Sequence, residues 1–532
     1  MTKKRPILTG FLIWIAAITA MTVFGLYMTS VADKTEQIGT AVGENFNANA
    51  VKQTLSIVVL YLMGWVVLWP FRSRLGQTQV YLLSFLVGLL VFELISSLII
   101  ILIVRYTYLA VMAVYLAVVV VLYWRAAHRG EAEALWFKKS EGWMFVLWLT
   151  GTAAAAAMLS FVPMDVLSFD SVEYMGLGKM YASQGFIRDY FIYQVSGHPF
   201  VPTLINSIAA FFGFDYAYAI QNLFLVMCTL LFGYHIRDEI RRMGFDDRKA
   251  LGLSALATGL LGVNFFYLFL GICLVPNLFA AYTLFFAAVY MYRYSRDEKP
   301  ADVALSFFFM AAFCFSRVEG PLLAAVFMAY FAHTKIENKH LLYYTGGLFI
   351  IVALWYVSFY IQSPAGFNGQ FLTVGRSMLV AAAYLIIGLY IFLKDKFFSQ
   401  YNRILFGLFM GALMLGAVGL SVMDMGKLII NLKAMYQNIF YYGYWKVTWL
   451  AVAGFGIAAA LVSKKKEMFL EWLIPIFLLM MLILFAIRSS TLHIYWSDSG
   501  NRMLMHIYPF CVFVLTLNIL SAFAPENSKQ GS

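Results

Sequence analysis

The sequence predicts an all-α membrane protein, a polytopic bundle of about 16 transmembrane helices. Three observations support this fold class. Of the 532 residues, 62% are hydrophobic and 12% are charged, whereas soluble domains carry about 25% charged residues. The apolar residues form blocks of roughly 15 to 25 residues without the alternation that barrel strands show. Short clusters of Lys and Arg separate these blocks, as expected for loops between membrane spans.

The net charge of +11 does not indicate nucleic-acid binding, because the basic residues form no continuous basic stretch and no RNA-binding motif. Lys/Arg-rich loops favour the cytoplasmic side of a membrane, so the clusters predict topology instead. They are MTKKRP at the N-terminus and the segments at 72–74, 125–142, 237–249, 293–299, 394–403 and 463–467. This spacing predicts a multi-pass membrane protein with both termini in the cytoplasm.

The spans follow from alternating sides between these clusters. The first five lie near 7–31, 54–71, 80–104, 107–124 and 143–161. The run 7–31 lacks a cleavage site and is too long for a signal-peptide core, which predicts a retained anchor. FVPTLINSIAAFFG, at 200–213, covers only about 21 Å, so we expect a partial or tilted helix there, before a span at 216–236.

Two hairpins and six single spans complete the predicted order. The hairpins lie at 251–293 and 304–334, and the single spans lie near 341–361, 378–393, 404–424, 447–462, 468–487 and 509–525. The larger loops on the external side are then 162–199, 362–377, 425–446 and 488–508. Cys228, Cys273, Cys314 and Cys511 all fall inside apolar runs with no pairing or metal spacing, which predicts that they are core residues.

The stretch FDSVEY places Asp170 and Glu173 three residues apart in the first external loop. One interpretation is structural: the pair forms an acidic capping box for a helix that begins at Ser171, and Gly185 ends that helix. The other is functional. Asp165, Asp170 and Glu173 all follow the span that ends at 161 by no more than a dozen residues, and charges at that depth need water or a partner.

The order of features around this stretch is similar to the first external loop of GT-C glycosyltransferases, which include protein O-mannosyltransferases and lipid A aminoarabinose transferases. A span is followed by the acidic FDSVEY, a short helix and SGHPFVPTLINSIAAFFG. The resemblance implies that Asp170 is the catalytic carboxylate, with Glu173 or Asp165 as alternatives. Tyr174 then matches the Tyr of the family, and His198 begins its His-Pro element. The acidic start lacks the adjacent Asp-Glu pair common in the family.

The resemblance covers about residues 143–340 and divides the chain into three regions. Residues 1–142 form an N-terminal transmembrane extension of four spans, 143–340 a GT-C-like catalytic core, and 341–532 a C-terminal transmembrane region. In the core, FSRVEGP lies at the turn of the second hairpin after about 14 apolar residues, or roughly 21 Å of helix. Arg317 and Glu319 would thus lie below the external surface, where they either line a polar cavity or pair with each other at the turn.

A third charged stretch, YWSDSGNRMLMHIYPF, precedes the last span. The spacing of Arg502, Leu504 and Pro509 is similar to the RYLLP-like run near the end of many GT-C chains. The guanidinium group offers paired donors to phosphate oxygens, so Arg502 is a candidate ligand for a lipid phosphate. The alternative is an interfacial Arg that extends to phospholipid headgroups.

The loop 425–446 carries Lys427, Lys433 and Lys446 among aromatic residues, on the side where positive charge is scarce. It is either an interfacial helix near a lipid donor, with Lys433 as a phosphate ligand, or an aromatic belt whose lysines face headgroups. GLGKMYAS at 176–183 lacks the spacing of a P-loop and is better explained by small residues in a packed helix. His198, His493 and His506 do not form a zinc-binding motif.

The resemblance implies an inverting glycosyltransferase that moves a sugar from a polyprenyl-phosphate-linked donor to an envelope glycan, lipid or protein, on the external face of a bacterial plasma (inner) membrane. Asp170 or Glu173 would act as base, and Arg317 and Arg502 would stabilise the leaving phosphate. No cofactor is expected. Asp170, Glu173 and Glu319 could hold a divalent metal, but no DxD pair favours one. A transporter or lipid flippase, and a non-catalytic scaffold of envelope assembly, are the alternatives; Glu93 is an isolated acidic residue within a span.

Overall fold

The computed structural model describes residues 46–102, 105–128, 139–161, 169–184, 200–214, 217–273, 276–362, 373–463, 469–488, 490–495 and 498–525. Throughout these ranges, every regular element is a helix, which confirms the predicted all-α class. The predicted span at 7–31 lies outside the described residues. The chain divides into two compact units, each of which is described by itself.

Unit 1 comprises the described residues within Met1–Ile187, Phe200–Tyr234 and Phe269–Val275, and unit 2 comprises the remainder. Seven helices lie wholly in unit 1: α1 (Phe46–Leu68), α2 (Arg72–Leu75), α3 (Gln77–Ile101), α4 (Tyr108–His128), α5 (Lys139–Phe161), α6 (Phe169–Gln184) and α7 (Phe200–Phe212). Helix α8 (Tyr218–Arg242) begins in unit 1 and ends in unit 2.

The other helices follow in chain order: α9 (Asp247–Val263), α10 (Phe265–Ile272), α11 (Pro276–Asp297), α12 (Pro300–Ser316), α13 (Gly320–Ala332), α14 (Asn338–Gln362), α15 (Val374–Leu393), α16 (Asn402–Met423), α17 (Met425–Gln437), α18 (Thr448–Val462), α19 (Leu473–Ile487), α20 (Ser499–Met503) and α21 (Tyr508–Ala522). Five-residue π-helical segments, Lys394–Phe398 and Asn438–Tyr442, extend α15 and α17. A 3-10 turn, Leu504–His506, connects α20 to α21.

Nine helices of the described residues are long and apolar enough to cross a membrane. They are α1, α3, α4, α5, α8, α14, α15, α16 and the stretch from α20 to α21, and each corresponds to a span predicted from the sequence. The chain is therefore a membrane protein by the length and composition of its helices. Five shorter apolar helices, α7, α12, α13, α18 and α19, have apolar segments that are 10 to 17 residues long. The total of about 16 spans stays a prediction.

The first predicted hairpin, 251–293, is not a simple pair of straight helices. Its first arm is broken at Asn264, where α9 and α10 meet at 79°. The Asn264 side chain stabilises the break: Oδ1 accepts a hydrogen bond from the Tyr267 backbone N–H at 2.8 Å, and Nδ2 donates to Thr448 Oγ1 at 2.6 Å. Asn264 thus ends α9 and, as the N-cap of α10, accepts a hydrogen bond from a backbone N–H group that has no partner within that helix.

Unit 1 is built around helix α3, whose candidate span has 89% of its residues buried inside the protein. Helices α1 and α3 cross with their backbones in contact at two glycines. A Cβ atom on Gly64 would overlap the Ser84 carbonyl oxygen, and one on Gly88 would overlap the Leu60 carbonyl oxygen. Small residues allow this approach in a membrane, where helices associate through close packing.

In unit 2, α11 is buried through Tyr294 and ends in a network of ion pairs. Arg293 Nη1 lies 2.9 Å from Asp238 Oδ2, and Arg296 Nη1 lies 2.6 Å from Glu239 Oε2. Arg242 donates two hydrogen bonds to the Asp297 carboxylate, at 3.0 and 2.9 Å. Burial acts to raise the pKa of Asp297, but the hydrogen bonds from Arg296 and Arg242 hold it at about 2. The acidic and basic residues of two charged segments therefore bind one another at the ends of α8 and α11.

All four cysteines are buried and none of them forms a disulfide, as predicted from their place in apolar runs. Side chains cap several other helix starts: Asp246 accepts from Arg248 N and Lys249 N, Thr373 from Arg376 N, and Asp424 from Lys427 N. Such caps satisfy backbone N–H groups that have no partner within the helix.

Gly88→Ala should destabilise the protein, because the added methyl group overlaps a backbone carbonyl oxygen that cannot move independently of α1. Overpacking of this kind costs roughly 1–3 kcal/mol. Thermal unfolding in detergent would show the loss as a melting temperature several degrees below that of the wild type. The control is Gly252→Ala, since a Cβ on this exposed glycine of α9 meets no atom within 4 Å. Equal melting temperatures for the two variants would contradict the close crossing.

Candidate functional site

Helix α6 carries two of the predicted site residues. It begins at Phe169, two residues before the expected start at Ser171, so Asp170 lies within its first turn and Glu173 one turn later. The expectation that Asp170 precedes the helix as its cap is corrected by this boundary. A carboxylate in the first turn is still stabilised by the positive end of the helix dipole. The side chains of Asp170 and Glu173, and the whole of Asp165, Gly185 and His198, lie outside the described residues.

The buried face of α6 packs against α7. Tyr174, Leu177 and Tyr181 are buried and recur at helical spacing, while Gly176 is exposed. A Cβ atom on Gly178 would overlap the Thr203 carbonyl oxygen and lie 2.7 Å from Asn206 Cβ, both on α7. The small-residue explanation of GLGKMYAS is thus confirmed for Gly178. The contact fixes the helix that carries Asp170 and Glu173 against FVPTLIN, the partial helix predicted from the sequence.

Tyr106 joins three elements of unit 1 behind this contact. Its hydroxyl lies 2.6 Å from Ser207 Oγ on α7 and donates to Ser96 Oγ on α3 at 3.2 Å. Its ring meets the ring of Tyr181 on α6 edge to face, with centroids 6.4 Å apart. Sequence reasoning missed this tyrosine, because it lies in a short connection and only its tertiary contacts show that it links α3, α6 and α7.

Glu93 is buried in α3 within electrostatic reach of Tyr106. Glu93 is 1% exposed, and neither of its carboxyl oxygens has a hydrogen-bond partner among the described residues. An ionised carboxylate in such surroundings is very unfavourable unless something pairs with it. Glu93 is therefore a second polar position of unit 1, separate in sequence from α6.

In unit 2, Arg317 and Glu319 pair with each other at the turn between α12 and α13. Glu319 Oε1 lies 2.8 Å from Arg317 Nε and 2.7 Å from Arg317 Nη2. The two side chains are 14% and 11% exposed. Gly320 closes the turn, since a Cβ there would lie 2.6 Å from the Phe313 carbonyl oxygen. Of the two interpretations given by the sequence, mutual pairing is confirmed.

The segment with Arg502 lies close to this turn. Asp498 caps α20 by accepting from Gly500 N at 2.8 Å, and Arg502, in the last turn, is partly exposed. His506 follows in the 3-10 turn and is completely buried. Its ring centroid lies 6.5 Å from that of Phe313, and its imidazole is within electrostatic reach of Arg317. The two stretches predicted to bind phosphate therefore meet around His506.

Sequence reasoning considered His506 only as a metal ligand. In the structure its ring lies between Phe313 and Phe477, with centroid distances of 6.5 and 5.6 Å. Neither ring nitrogen has a hydrogen-bond partner within the described part of the chain. No group of three His, Cys, Asp or Glu side chains that could hold a metal occurs among the described residues.

The loop 425–446 is helical over Met425–Tyr442. Lys433 and Lys446 are exposed, whereas Lys427 Nζ donates to the backbone oxygens of Ala486, at 2.9 Å, and Arg488. The helix lies on the Arg502 segment: Gly500 is so close to Met435 that a Cβ would lie 2.9 Å from its sulfur. Unit 2 thus brings together the Arg317–Glu319 turn, the segment 498–506 and the helix that carries Lys433.

No protein-family model, no curated protein and no solved structure matches this chain significantly. The geometry of each unit and the chemistry of its side chains are therefore the basis for assigning a function.

Gly178→Ala should loosen α6, because the added methyl group overlaps the α7 backbone. We expect a lower melting temperature and faster amide hydrogen exchange over residues 169–184. Gly176→Ala, two residues away on the same helix, is the matched control: a Cβ there meets no atom within 4 Å. If both variants exchange at the wild-type rate, the close contact between α6 and α7 is wrong.

Proposed function

We propose that this chain is a glycosyltransferase of the GT-C type, which moves a sugar from a polyprenyl-phosphate-linked donor to an envelope acceptor and inverts the anomeric centre. The observation that carries the proposal is the cationic corner of unit 2. There the half-buried Arg317, held by Glu319, lies close to the Arg502 segment around the buried His506. The positive charge of this corner is complementary to the negatively charged phosphate group that every lipid-phosphate donor carries.

Departure of a sugar from a polyprenyl phosphate develops negative charge on the phosphate oxygens. Preorganised cations stabilise that charge most where little water competes with them, and a half-buried guanidinium meets this condition. The carboxylate of Glu319 binds Arg317 along one edge through Nε and Nη2, which fixes the orientation of the group. Arg502, partly exposed in the last turn of α20, would bind the same phosphate, and Lys433 would attract the donor to this end of unit 2.

The transfer also needs a base for the acceptor hydroxyl. Asp170 is our candidate, with Glu173 as the alternative, because both lie at the start of α6 and that helix is fixed against α7 by Gly178. A rigid support holds a catalytic carboxylate within the small distance range that proton transfer requires. A base on the face opposite the leaving phosphate would produce inversion.

The proposal includes the location of the reaction. We place the chain in a bacterial plasma membrane with about 16 spans in a GT-C-like arrangement, both termini in the cytoplasm and the reaction on the external face. The partners would be the lipid-linked sugar donor, membrane lipids and an envelope glycan, lipid or protein acceptor. The Lys/Arg clusters of the sequence support this orientation.

Asp170→Asn should abolish transfer of a radiolabelled sugar from a polyprenyl-phosphate donor to envelope material in membranes, because the amide cannot accept the acceptor proton. Arg502→Gln should keep some transfer but raise the KM for the donor, since it removes a charge-assisted bond to phosphate. Asp395→Asn, at an exposed aspartate after α15, is the control and should transfer at the wild-type rate. Each variant is compared at equal membrane content and melting temperature.

Three results would count against parts of this proposal. If wild-type membranes transfer no more than membranes without the protein, with any donor, the enzyme assignment is wrong. Equal transfer by wild type and Asp170→Asn would make Asp170 a structural residue and leave Glu173 as the candidate base. An unchanged donor KM in Arg502→Gln would remove that residue from the phosphate site.

A second function, transport or flipping of envelope precursors, is favoured by Glu93. A buried carboxyl group without a hydrogen-bond partner in the described residues is unusual in a span and commonly belongs to an ion or substrate pathway. The hydroxyl groups of Tyr106 and Ser207 lie in the same part of unit 1.

Glu93→Gln separates the two functions. In proteoliposomes, a transporter would lose most movement of a fluorescent polyprenyl-phosphate sugar across the bilayer when this carboxyl group is removed, whereas a transferase would keep its sugar transfer. Glu298→Gln, at an exposed glutamate between α11 and α12, should change neither activity. Transport by the wild type that needs Glu93 would replace the transferase proposal.

A further inference from the structure

A cleft of about 110 Å³ lies between α16, α17 and α19 of unit 2. Most of its wall is apolar and is formed by Leu420, Leu428, Leu432, Met435, Met481, Leu482 and Phe485. Four polar residues, Ser421, Asp424, Lys427 and Asn431, also line it. The cleft is therefore amphipathic, with an apolar wall and a polar group of residues along α16 and α17.

The polar side of the cleft lies at the C-terminal end of α19, where three cations converge. Lys427 Nζ donates to the Ala486 oxygen at 2.9 Å and to the Arg488 oxygen. Arg376 Nη2 donates to the oxygen of Ile487, the residue between them, at 3.3 Å. The side chain of Arg488 itself donates to Ser490 Oγ at 3.0 Å and to Ser499 Oγ. The carbonyl groups of residues 486–488 thus bind two cations, Lys427 and Arg376, next to the side chain of a third cation, Arg488.

Negative groups also lie at this end among the described residues. Asp424 and Asp498 accept hydrogen bonds from the backbone N–H groups of Lys427, Gly500 and His493. The C-terminus of α19 adds about half a negative charge. Because these carboxylates already accept backbone hydrogen bonds, a phosphate group is a suitable further partner for the three cations.

The surface beside the cleft is apolar. On α17, Ile429, Ile430 and Leu432 are 50% to 59% exposed, and Met423 at the end of α16 is 84% exposed. In a membrane protein such side chains contact acyl chains, so the cleft is adjacent to lipid and its cations lie at one end of the apolar surface.

We propose that this cleft binds an anionic diacyl phospholipid, with a segment of one acyl chain against Leu428, Leu432 and Phe485, and the phosphate group beside Lys427, Arg376 and Arg488. Phosphate accepts several hydrogen bonds from guanidinium and ammonium groups, and one cation near a headgroup contributes about 1 kcal/mol, or about fivefold in affinity. The site does not depend on the proposed transferase activity.

Native mass spectrometry of the full chain in detergent tests the site with dioleoyl phosphatidylglycerol and zwitterionic dioleoyl phosphatidylcholine as probes. The wild type should retain phosphatidylglycerol in preference to phosphatidylcholine. Lys427→Gln should weaken phosphatidylglycerol binding about fivefold, because the amide still donates to the α19 carbonyl groups but carries no charge. Lys427→Arg should restore the affinity. Lys339→Gln, at an exposed lysine in the first turn of α14, is the charge control and should bind like the wild type.

A second variant tests the apolar wall without a change of charge. Leu428→Trp should fill part of the cleft and weaken binding of phosphatidylglycerol, whereas Leu415→Trp, on an exposed part of α16 outside the cleft, should not. Melting temperatures of the five variants establish that each one is folded.

Several outcomes would overturn the proposal. Equal retention of the two phospholipids, or wild-type affinity in both Lys427→Gln and Leu428→Trp, would show that the cleft binds no anionic phospholipid. Displacement of phosphatidylglycerol by equimolar polyprenyl phosphate would assign the cleft to the isoprenoid lipid instead. Displacement by millimolar inorganic phosphate would make it a site for free phosphate. None of these measurements uses sugar transfer, so they leave the transferase proposal to its own test.

Discussion

The close approach of helix backbones at glycine is the constraint on which unit 1 depends. Hydrocarbon chains are as apolar as leucine, so helices in a membrane gain little from burying apolar side chains and associate through close packing instead. Gly64 and Gly88 let α1 and α3 touch, and Gly178 lets α6 touch α7. The second contact holds the start of α6, and therefore the backbone of Asp170 and Glu173, against a helix too short to span the membrane.

Unit 2 depends on a different constraint, the pairing of charge. At one end of α11, arginines from two segments meet aspartates and glutamates from the same segments, so little of that charge is left unbalanced. At the turn between α12 and α13, one carboxylate meets one guanidinium along a single edge. Beside α19, the cations Lys427, Arg376 and Arg488 lie at the end of one helix. The first arrangement binds helices together, while the second and third place cations where the proposed anionic ligands would bind.

The sequence predicts the helices well, because a long apolar run has one stable form in a membrane. Nine spans, the partial helix at 200–212 and the turn at Arg317 are all predicted at nearly their observed positions. The break at Asn264 is not predicted, because it depends on a hydrogen bond to Thr448, which is 184 residues away. The start of α6 differs by two residues, since helix ends are decided by a few backbone bonds that propensity does not resolve.

The tertiary contacts of the candidate site are harder to predict from the sequence than the helices are. The spacing of Arg317 and Glu319 indicates a pair, but no pattern in the chain brings His506 to Phe313, or Tyr106 to Ser207 and Tyr181. These contacts join separate elements of the chain, and hydrophobic periodicity carries no information about which elements become partners. A single histidine between hydrophobic residues is also indistinguishable in sequence from a packed core residue.

Glu319 and Glu93 show how the choice of function depends on the partners of a carboxyl group. Glu319 faces a guanidinium at 2.7 Å, so its charge is satisfied and the pair can orient a phosphate. Glu93 is more deeply buried and has no such cation within hydrogen-bond distance, so it is stable as the neutral acid or with a ligand of its own. The proposed transferase would use the Arg317–Glu319 pair to bind phosphate, but its mechanism assigns no role to Glu93. The packing of α3 therefore has to be explained either by a neutral, purely structural Glu93 or by an activity in which that residue gains and loses a charged partner.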